Sequence, residues 1–262
     1  MSIVQISDCH VVNTDQRISG GVDPAALLRS AVDAIGMLPL QPDLILITGD
    51  LVNAGAPEEY GTFLDIIGGV RAPIVPVTGN HDLRENLAEA FRLSSRFALQ
   101  EPFIQYVVED YPVRIIVLDT ATTGSGQPSM CPDRLSWLSD RLAESGRPTL
   151  IAMHHPPFPA GVAWMEPKEK NWASQLAQIV AGHPSIVRVV CGHVHRTMTV
   201  QWASTCAMAA PSTAHQVYPD LTSSAPPRFN LEAPGFLMHQ WIGSLMVSYG
   251  AAIPGISKTF AP

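Results

Sequence analysis

Short apolar runs that end in a metal-binding side chain recur along this 262-residue chain, and they restrict its fold more than any other feature does. Leu44-Ile45-Leu46-Ile47-Thr48 stops at Gly49 and presents Asp50. A short continuous apolar run bounded by glycine reads as a strand buried on both faces, as in a parallel sheet. The pattern repeats. Ile3 to Ser7 runs into Asp8-Cys9-His10, Ile74 to Thr78 into Gly79-Asn80-His81-Asp82, Leu150 to Met153 into His154-His155, and Val187 to Cys191 into Gly192-His193-Val194-His195. Asp, Asn and His bind hard or borderline metals. The set exceeds what one ion uses. Two metals that share Asp50 as a bridging carboxylate would employ it, and such a pair activates water against phosphorus.

Between these runs lie helical signals. Asp23-Pro24 is an N-cap followed by proline at the first helical position, which predicts a helix over 25–37 that ends before Pro39 and Pro42. Tyr60, Phe63, Leu64 and Ile67 recur at helical spacing within 58–67, and Gly68-Gly69 closes that helix. The resulting β-α-β-α-β order predicts a parallel sheet with helices on both faces. A further helix is expected over 85–97, a hairpin from 105–109 and 113–118, and helices over 133–144 and 171–181. After Thr197 helices become scarce. Residues 198–202, 206–209, 236–242 and 245–249 read as strands, for which a second, mostly antiparallel sheet is the expected home. The expectation is an α/β chain of one domain over 1–262, a sandwich of two mixed sheets flanked by helices, with a surface excursion at 218–234 that is rich in Pro and Ser.

Composition narrows the function classes. The net charge of -7 argues against an extended nucleic-acid groove, so an anionic substrate would be attracted locally, by bound metal. Cys9, Cys131, Cys191 and Cys206 form neither a C-x-x-C pair nor a short disulfide framework, which points to a reduced, cytoplasmic setting. No secretion signal precedes the first strand, and no apolar run reaches the roughly 20 residues of a membrane helix.

In an extended segment alternate side chains share a face, so Asp8 and His10 are expected to project together, as are His193 and His195, while Cys9 and Cys191 face the core. Ligands from the carboxyl ends of several parallel strands converge in the crevice above the sheet. One histidine alone is more often a satisfied core or loop residue, but five strand ends with the same property call for a common explanation. His81 is the candidate proton donor to a leaving group, since it adjoins Asn80 without being needed as a ligand, and Asp82 is expected to orient its ring. His155 is expected to point away from His154 and stands outside the metal set. His183 and His239 are expected in surface or packing roles, and Phe158, Trp164 and Met165 as an apolar wall over the site.

Taken together, Asp8-x-His10, Gly49-Asp50, Gly79-Asn80-His81-Asp82, His154 and Gly192-x-His195 resemble the five motifs of the calcineurin-like metallophosphoesterases, in the family's order. Segments 53–60, 153–157 and 212–217 are most similar to its glycerophosphodiesterase and class III cyclic nucleotide phosphodiesterase branch. The resemblance implies a four-layer αββα sandwich. It also implies a ligand division: one divalent metal on Asp8, His10 and His195, the other on Asn80, His154 and His193, with Asp50 bridging. Mixed imidazole and carboxylate ligation suits Fe, Mn, Zn or Co. It places His215 on the substrate side and implies a homo-oligomer, a dimer or larger. Arg84 and Arg196 are the only cations close to the motifs in sequence, which favours a singly charged diester over a dianionic monoester. The expected activity is therefore hydrolysis of small phosphodiesters, glycerophosphodiesters or 3′,5′-cyclic nucleotides, by attack of metal-activated hydroxide on phosphorus. A phosphomonoesterase or protein phosphatase is the alternative within the fold, and a non-catalytic binding scaffold the alternative of another class. Where members of the branch carry an aromatic residue after the first motif, this chain has Arg17-Ile18-Ser19; this departure and the Pro-rich stretch both fall on the substrate side.

Overall fold

The computed structural model describes residues 1–253 and 258–260. Its first half alternates as the sequence implies: β1 (Ser2–Ile6), α1 (Pro24–Gly36), β2 (Leu44–Ile47), α2 (Pro57–Ile67) and β3 (Ile74–Pro76). Asp23 caps α1 by accepting from Ala26 N at 3.0 Å, and Pro24 sits where a missing N–H has no intrahelical partner to lose. Pro57 opens α2 in the same way, and Glu59 folds back to accept from the backbone N–H groups of Ala54 and Ala56 at 2.8 and 3.2 Å. The helix expected over 85–97 is instead two, α3 (Arg84–Ala90) and α4 (Leu93–Arg96), separated by Arg92 in the left-handed region at φ 50°. The break lets Phe91 and Leu93 both enter the core. Residues two apart on one continuous helix would not face the same way.

The hairpin forms as expected from β4 (Tyr106–Val108) and β5 (Arg114–Val117), followed by α5 (Pro132–Ala143), β6 (Thr149–Ala152), α6 (Ser174–Ala181) and β7 (Ile186–Cys191). Helix α6 begins three residues later than the spacing suggested. The remaining strands are β8 (Met198–Trp202), β9 (Thr205–Ala209), β10 (Gln216–Val217), β11 (Phe229–Leu231), β12 (Gly235–Ile242), β13 (Leu245–Ala252) and β14 (Lys258–Phe260).

Two large mixed sheets result, in the orders β13-β12-β1-β2-β3 and β4-β5-β6-β7-β9-β8. The four late strands expected over 198–249 therefore do not build an antiparallel sheet of their own. β12 adds antiparallel to the free edge of β1, and β9 adds parallel to β7 with β8 outside it. Both additions pair backbone groups that an open edge would leave bare. Alternation along the strands divides the interior in two. Ile115, Val117, Leu150, Ala152 and Val190 point into the core shared with the first sheet and with α1 and α2, whereas Ile116, Ile151, Met153, Val189 and Cys191 pack beneath α5 and α6. Helix, sheet, sheet and helix thus lie in four layers, as the resemblance implied. Within the stretch 218–234, expected to run over the surface, β11 pairs with β10 and β14 in a small third sheet, which returns the chain to the face where the strands end.

Candidate metal centre

The parallel strands β1, β2, β3, β6 and β7 all release their chains at the same face, and the loops that follow are tied to one another. Asp8 N and His10 N donate to the carbonyls of Gly49 and Asp50, each at 3.0 Å. The Asp8 carboxylate accepts from His193 N at 3.1 and 3.0 Å, and Asp50 Oδ1 accepts from His81 N at 2.8 Å. The backbone at these points is not extended, contrary to the alternation argument. Asp8, His10, Asp50, His193 and His195 all have positive φ, between 47° and 69°. Asp8 and His10 still converge, because each turns through the left-handed region on either side of Cys9. Such a conformation is uncommon outside glycine and is held here by the hydrogen bonds just named.

Glycines give the donors room. A Cβ on Gly79 would stand 2.1 Å from Asp50 Oδ1, and one on Gly192 would stand 2.0 Å from Ser7 Oγ and 2.7 Å from Asp8 Oδ2.

The candidate donor atoms gather into two neighbouring groups, although His155 also lies with His154 and His193, and His81 with His10 and Asp50. Asp8, His10 and His195 offer ligand atoms within 4.8 Å of one another, with His10 Nε2 3.1 Å from His195 Nε2. Asn80 Oδ1 lies 3.0 Å from both His154 Nε2 and His193 Nδ1. Asp50 stands between the groups, its Oδ2 3.7 Å from His10 Nε2 and 3.4 Å from His154 Nε2. Backbone carbonyls set the ring tautomers. Because a carbonyl can only accept, the contacts of His154 Nδ1 with Thr48 O at 2.8 Å and of His195 Nδ1 with His215 O at 2.7 Å place a proton on each Nδ1 and turn each Nε2 toward the carboxylates.

Burial, reinforced by neighbouring imidazoles, pushes His10 and His195 well below the usual histidine range and His193 down to about 3, which leaves their lone pairs available at neutral pH. Burial raises Asp8 to about 7, and the nearby Asp50 adds to the rise. His154 goes the other way: burial opposes its charge, but Asp50 and Asp8 overcome this and raise it to about 9. The same imidazolium holds Asp50 well below the carboxylate range despite its burial. Two ring nitrogens facing at 3.1 Å, and a buried carboxylate pair neutralised only by one imidazolium, form a donor set that a divalent cation fits.

Other expected residues fall less simply. His81 turns its Nδ1 to Asn53 O at 2.7 Å. Asp82, expected to orient that ring, instead accepts from Gly79 N at 2.9 Å, Leu51 N at 3.4 Å and Tyr60 OH at 3.0 Å. Its carboxylate looks into the core because three donors there meet it, and the orienting partner of His81 is a carbonyl that sequence reasoning passed over. His155 does not point out of the region. It is buried, with Nδ1 2.8 Å from Thr120 Oγ1, and its ring centroid lies 4.5 Å from that of His193. His215 lies in the site wall, its ring centroid 4.7 Å from His195 and 5.4 Å from His10. His183 caps the end of α6 through Ile179 O, and His239 is fully buried between Gln5 and Ser248.

Above the donors is a cavity of about 330 Å³, with Ile18, Trp164, Met165 and Phe229 among its walls. Trp164 and Met165 thus stand where expected, whereas Phe158 is absent from this cavity and lines a small pocket with His155, Met165 and His193. Phe229 was missed. It sits 4.5 Å from His215 and 6.1 Å from His195 between ring centroids, and the only hint of it in the sequence is a lone aromatic inside a Pro-rich stretch. Arg196 ties β11 down through Glu232 and Asn230.

Two large mixed sheets with a buried cluster of His, Asp and Asn at their strand ends define a metallohydrolase of the sandwich class. A sequence profile of the calcineurin-like phosphoesterases matches residues 1–197, and the chain belongs to that family. It is 31% identical over 251 residues to a glycerophosphodiester phosphodiesterase of Enterobacter lignolyticus, covering 95% of this chain and 90% of that one. It is 30% identical over 218 residues to a 3′,5′-cyclic adenosine monophosphate phosphodiesterase of Escherichia coli, covering 83% and 78%. A dimetal phosphatase from Danio rerio shares the fold with a TM-score of 0.74 at 14% identity, over 100% of this chain and 99% of that one.

Proposed function

We propose that this chain is a dinuclear metal phosphodiesterase that hydrolyses small phosphodiesters, with glycerophosphodiesters and 3′,5′-cyclic nucleotides as the leading substrates. The observation that carries the choice of diester is the absence of any free cation among the described residues lining the cavity. No Arg or Lys is among them, and the two arginines nearest the motifs are engaged elsewhere, Arg84 by Asp119 at 2.6 and 3.0 Å and Arg196 by Glu232 and Asn230. A dianionic monoester usually draws Arg or Lys beyond the metals, whereas a singly charged diester does not need them. The names of the curated relatives support the same reading.

In this reading Asp8, His10 and His195 would hold one ion, Asn80, His154 and His193 the other, and Asp50 would serve both. Divalent ions, when bound, supply Lewis-acid charge at the phosphoryl group and make water a competent nucleophile near neutral pH. The chain's own residues do the rest. Thr48 O and His215 O keep the Nε2 lone pairs of His154 and His195 turned inward. Asn53 O holds the His81 Nδ1 proton, so Nε2 is the ring atom that takes up a second proton and passes it to the departing oxygen. Ile18, Trp164, Met165 and Phe229 limit water around the reacting group. Iron, manganese, zinc and cobalt all suit the imidazole and carboxylate ligands.

The test compares bis(4-nitrophenyl) phosphate with 4-nitrophenyl phosphate on protein of measured metal content. Higher kcat/KM on the diester is expected, and a large preference for the monoester would overturn the assignment. Asp50→Ala is expected to reduce bound metal below two equivalents per chain by elemental analysis; unchanged metal and activity would refute the bridging role.

The same reading takes the protein as a cytoplasmic homo-oligomer. The four free cysteines are consistent with a reducing compartment. β13 is an edge strand of eight residues with no charge or proline to block pairing. Light scattering that reported a monomer would remove the oligomer. Among the described residues no helix is long and apolar enough to cross a membrane.

A further inference from the structure

His81, Asn80 and Asn53 form a wall shared by two cavities. On one side is the cavity over the donor cluster, and on the other a groove of about 910 Å³ that runs past α3. The groove is lined by Leu83, Ala88, Leu99, Phe103 and Ile104 along its apolar part. Its one guanidinium is spent: besides the two contacts with Asp119, Arg84 donates to Ala121 O and Thr123 Oγ1, each at 2.7 Å. Glu85 and Glu101 also line the groove, both exposed. A ligand arm carrying a second phosphate or a carboxylate would find no unmatched cation there. An uncharged alcohol with an apolar body would find area to bury.

We propose that this groove receives the leaving alcohol of the diester, and that Leu83 and Ala88 set how bulky that alcohol can be. The inference rests on the phosphodiesterase reading. Asn53 O keeps one proton on His81 Nδ1, so the proton that is transferred is a second one carried on Nε2, and the oxygen that accepts it is the one bonded to the departing arm. An arm that continues beyond His81 enters the groove, while the retained arm stays against the packed pair of Trp164 and Phe229. In the step, the oxygen of water bonds to phosphorus and the bond from phosphorus to the departing oxygen breaks. One proton of the water is delivered, by way of His81, to that oxygen, so that an alcohol and a phosphomonoester leave. A 3′,5′-cyclic nucleotide ties both ester oxygens to one ring and cannot separate its arms across His81. The groove therefore favours acyclic diesters.

The test uses full-length, metal-loaded protein and two methyl diesters, methyl 4-nitrophenyl phosphate and methyl 4-nitro-1-naphthyl phosphate. Leu83→Trp and Ala88→Trp, made separately, narrow the groove from two positions outside the donor cluster. Each is expected to lower kcat/KM on the naphthyl ester by about tenfold or more, with a far smaller effect on the nitrophenyl ester. In parallel, calorimetry with 1-naphthol, uncharged at neutral pH, on metal-free protein is expected to show binding that both variants weaken by a similar factor. Wild-type hydrolysis of both esters, with selectivity and naphthol binding unchanged in the variants, would overturn the groove assignment alone. Failure of the wild type to hydrolyse either ester would overturn the phosphodiesterase reading, and the leaving-group role with it.

Discussion

His81 Nδ1 lies 2.7 Å from the carbonyl oxygen of Asn53, a residue 28 positions earlier in the chain. A carbonyl cannot donate, so the contact assigns one ring proton to Nδ1, and a second proton, the one the proposed reaction would transfer, is carried on Nε2.

His81→Ala should therefore discriminate between leaving groups. For a diester that releases an alkoxide, kcat is expected to fall by roughly 10²–10⁴, the usual yield of a positioned acid, while release of 4-nitrophenolate falls much less because that anion needs no proton. Metal content, read by elemental analysis, should not change. Equal losses on both substrates would mean that His81 binds phosphate without transferring a proton.

Asp82 belongs to the frame of the site. Tyr60→Phe removes the donor to Asp82 Oδ1 and is expected to lower stability by about 1–3 kcal/mol in denaturant unfolding. The pH profile of kcat should stay where it is. A shifted profile would show that Asp82 acts on the chemistry after all.

Crowding at the glycines gives a contrast within one residue type. Gly79→Ala pushes a methyl group into Asp50 Oδ1, with an expected loss of bound metal and of about 1–3 kcal/mol in stability. Gly61→Ala, in the open face of α2 with nothing within 4 Å, should leave metal binding intact and raise stability by about 0.4–1 kcal/mol. Metal titration and thermal unfolding of the two variants check both halves.

Acid stability of the metal-free protein should depend on His239, which is remote from the donors. Burial, with Arg188 adding to it, lowers this histidine to about 3, and its ring is held neutral between Gln5 and Ser248. The unfolded chain binds a proton near the ordinary value of 6.5 and the folded one does not, so folding stability falls as pH drops from 6.5 toward 3. The slope for one such group is about 1.4 kcal/mol per pH unit. Urea unfolding of metal-free His239→Gln at pH 7, 6 and 5 should show a shallower decline than wild type. An identical decline would rule the residue out.

The candidate donors could be read from the chain because each sits where an apolar run stops, and the run and its terminator are local. Helix breaks and strand partners could not. Arg92 leaves the helical region so that Phe91 and Leu93 can both reach the core, and β12 crosses back to β1 because an edge there needs pairing; neither cause lies within a few residues of its effect. The same holds for Phe229, whose place beside His195 depends on Arg196 gripping Glu232.

Sequence by itself determined the candidate donor types, their positions at strand ends and the helices between them, since those follow from short-range periodicity and from the chemistry of single side chains. Tertiary structure decided which donors neighbour each other, which ring nitrogen faces inward, and which of Asp82 and Asn53 attends His81. Those outcomes hang on contacts such as that of His154 with Thr48, separated by 106 residues, and they exist only once two sheets have packed and brought their strand ends to one face.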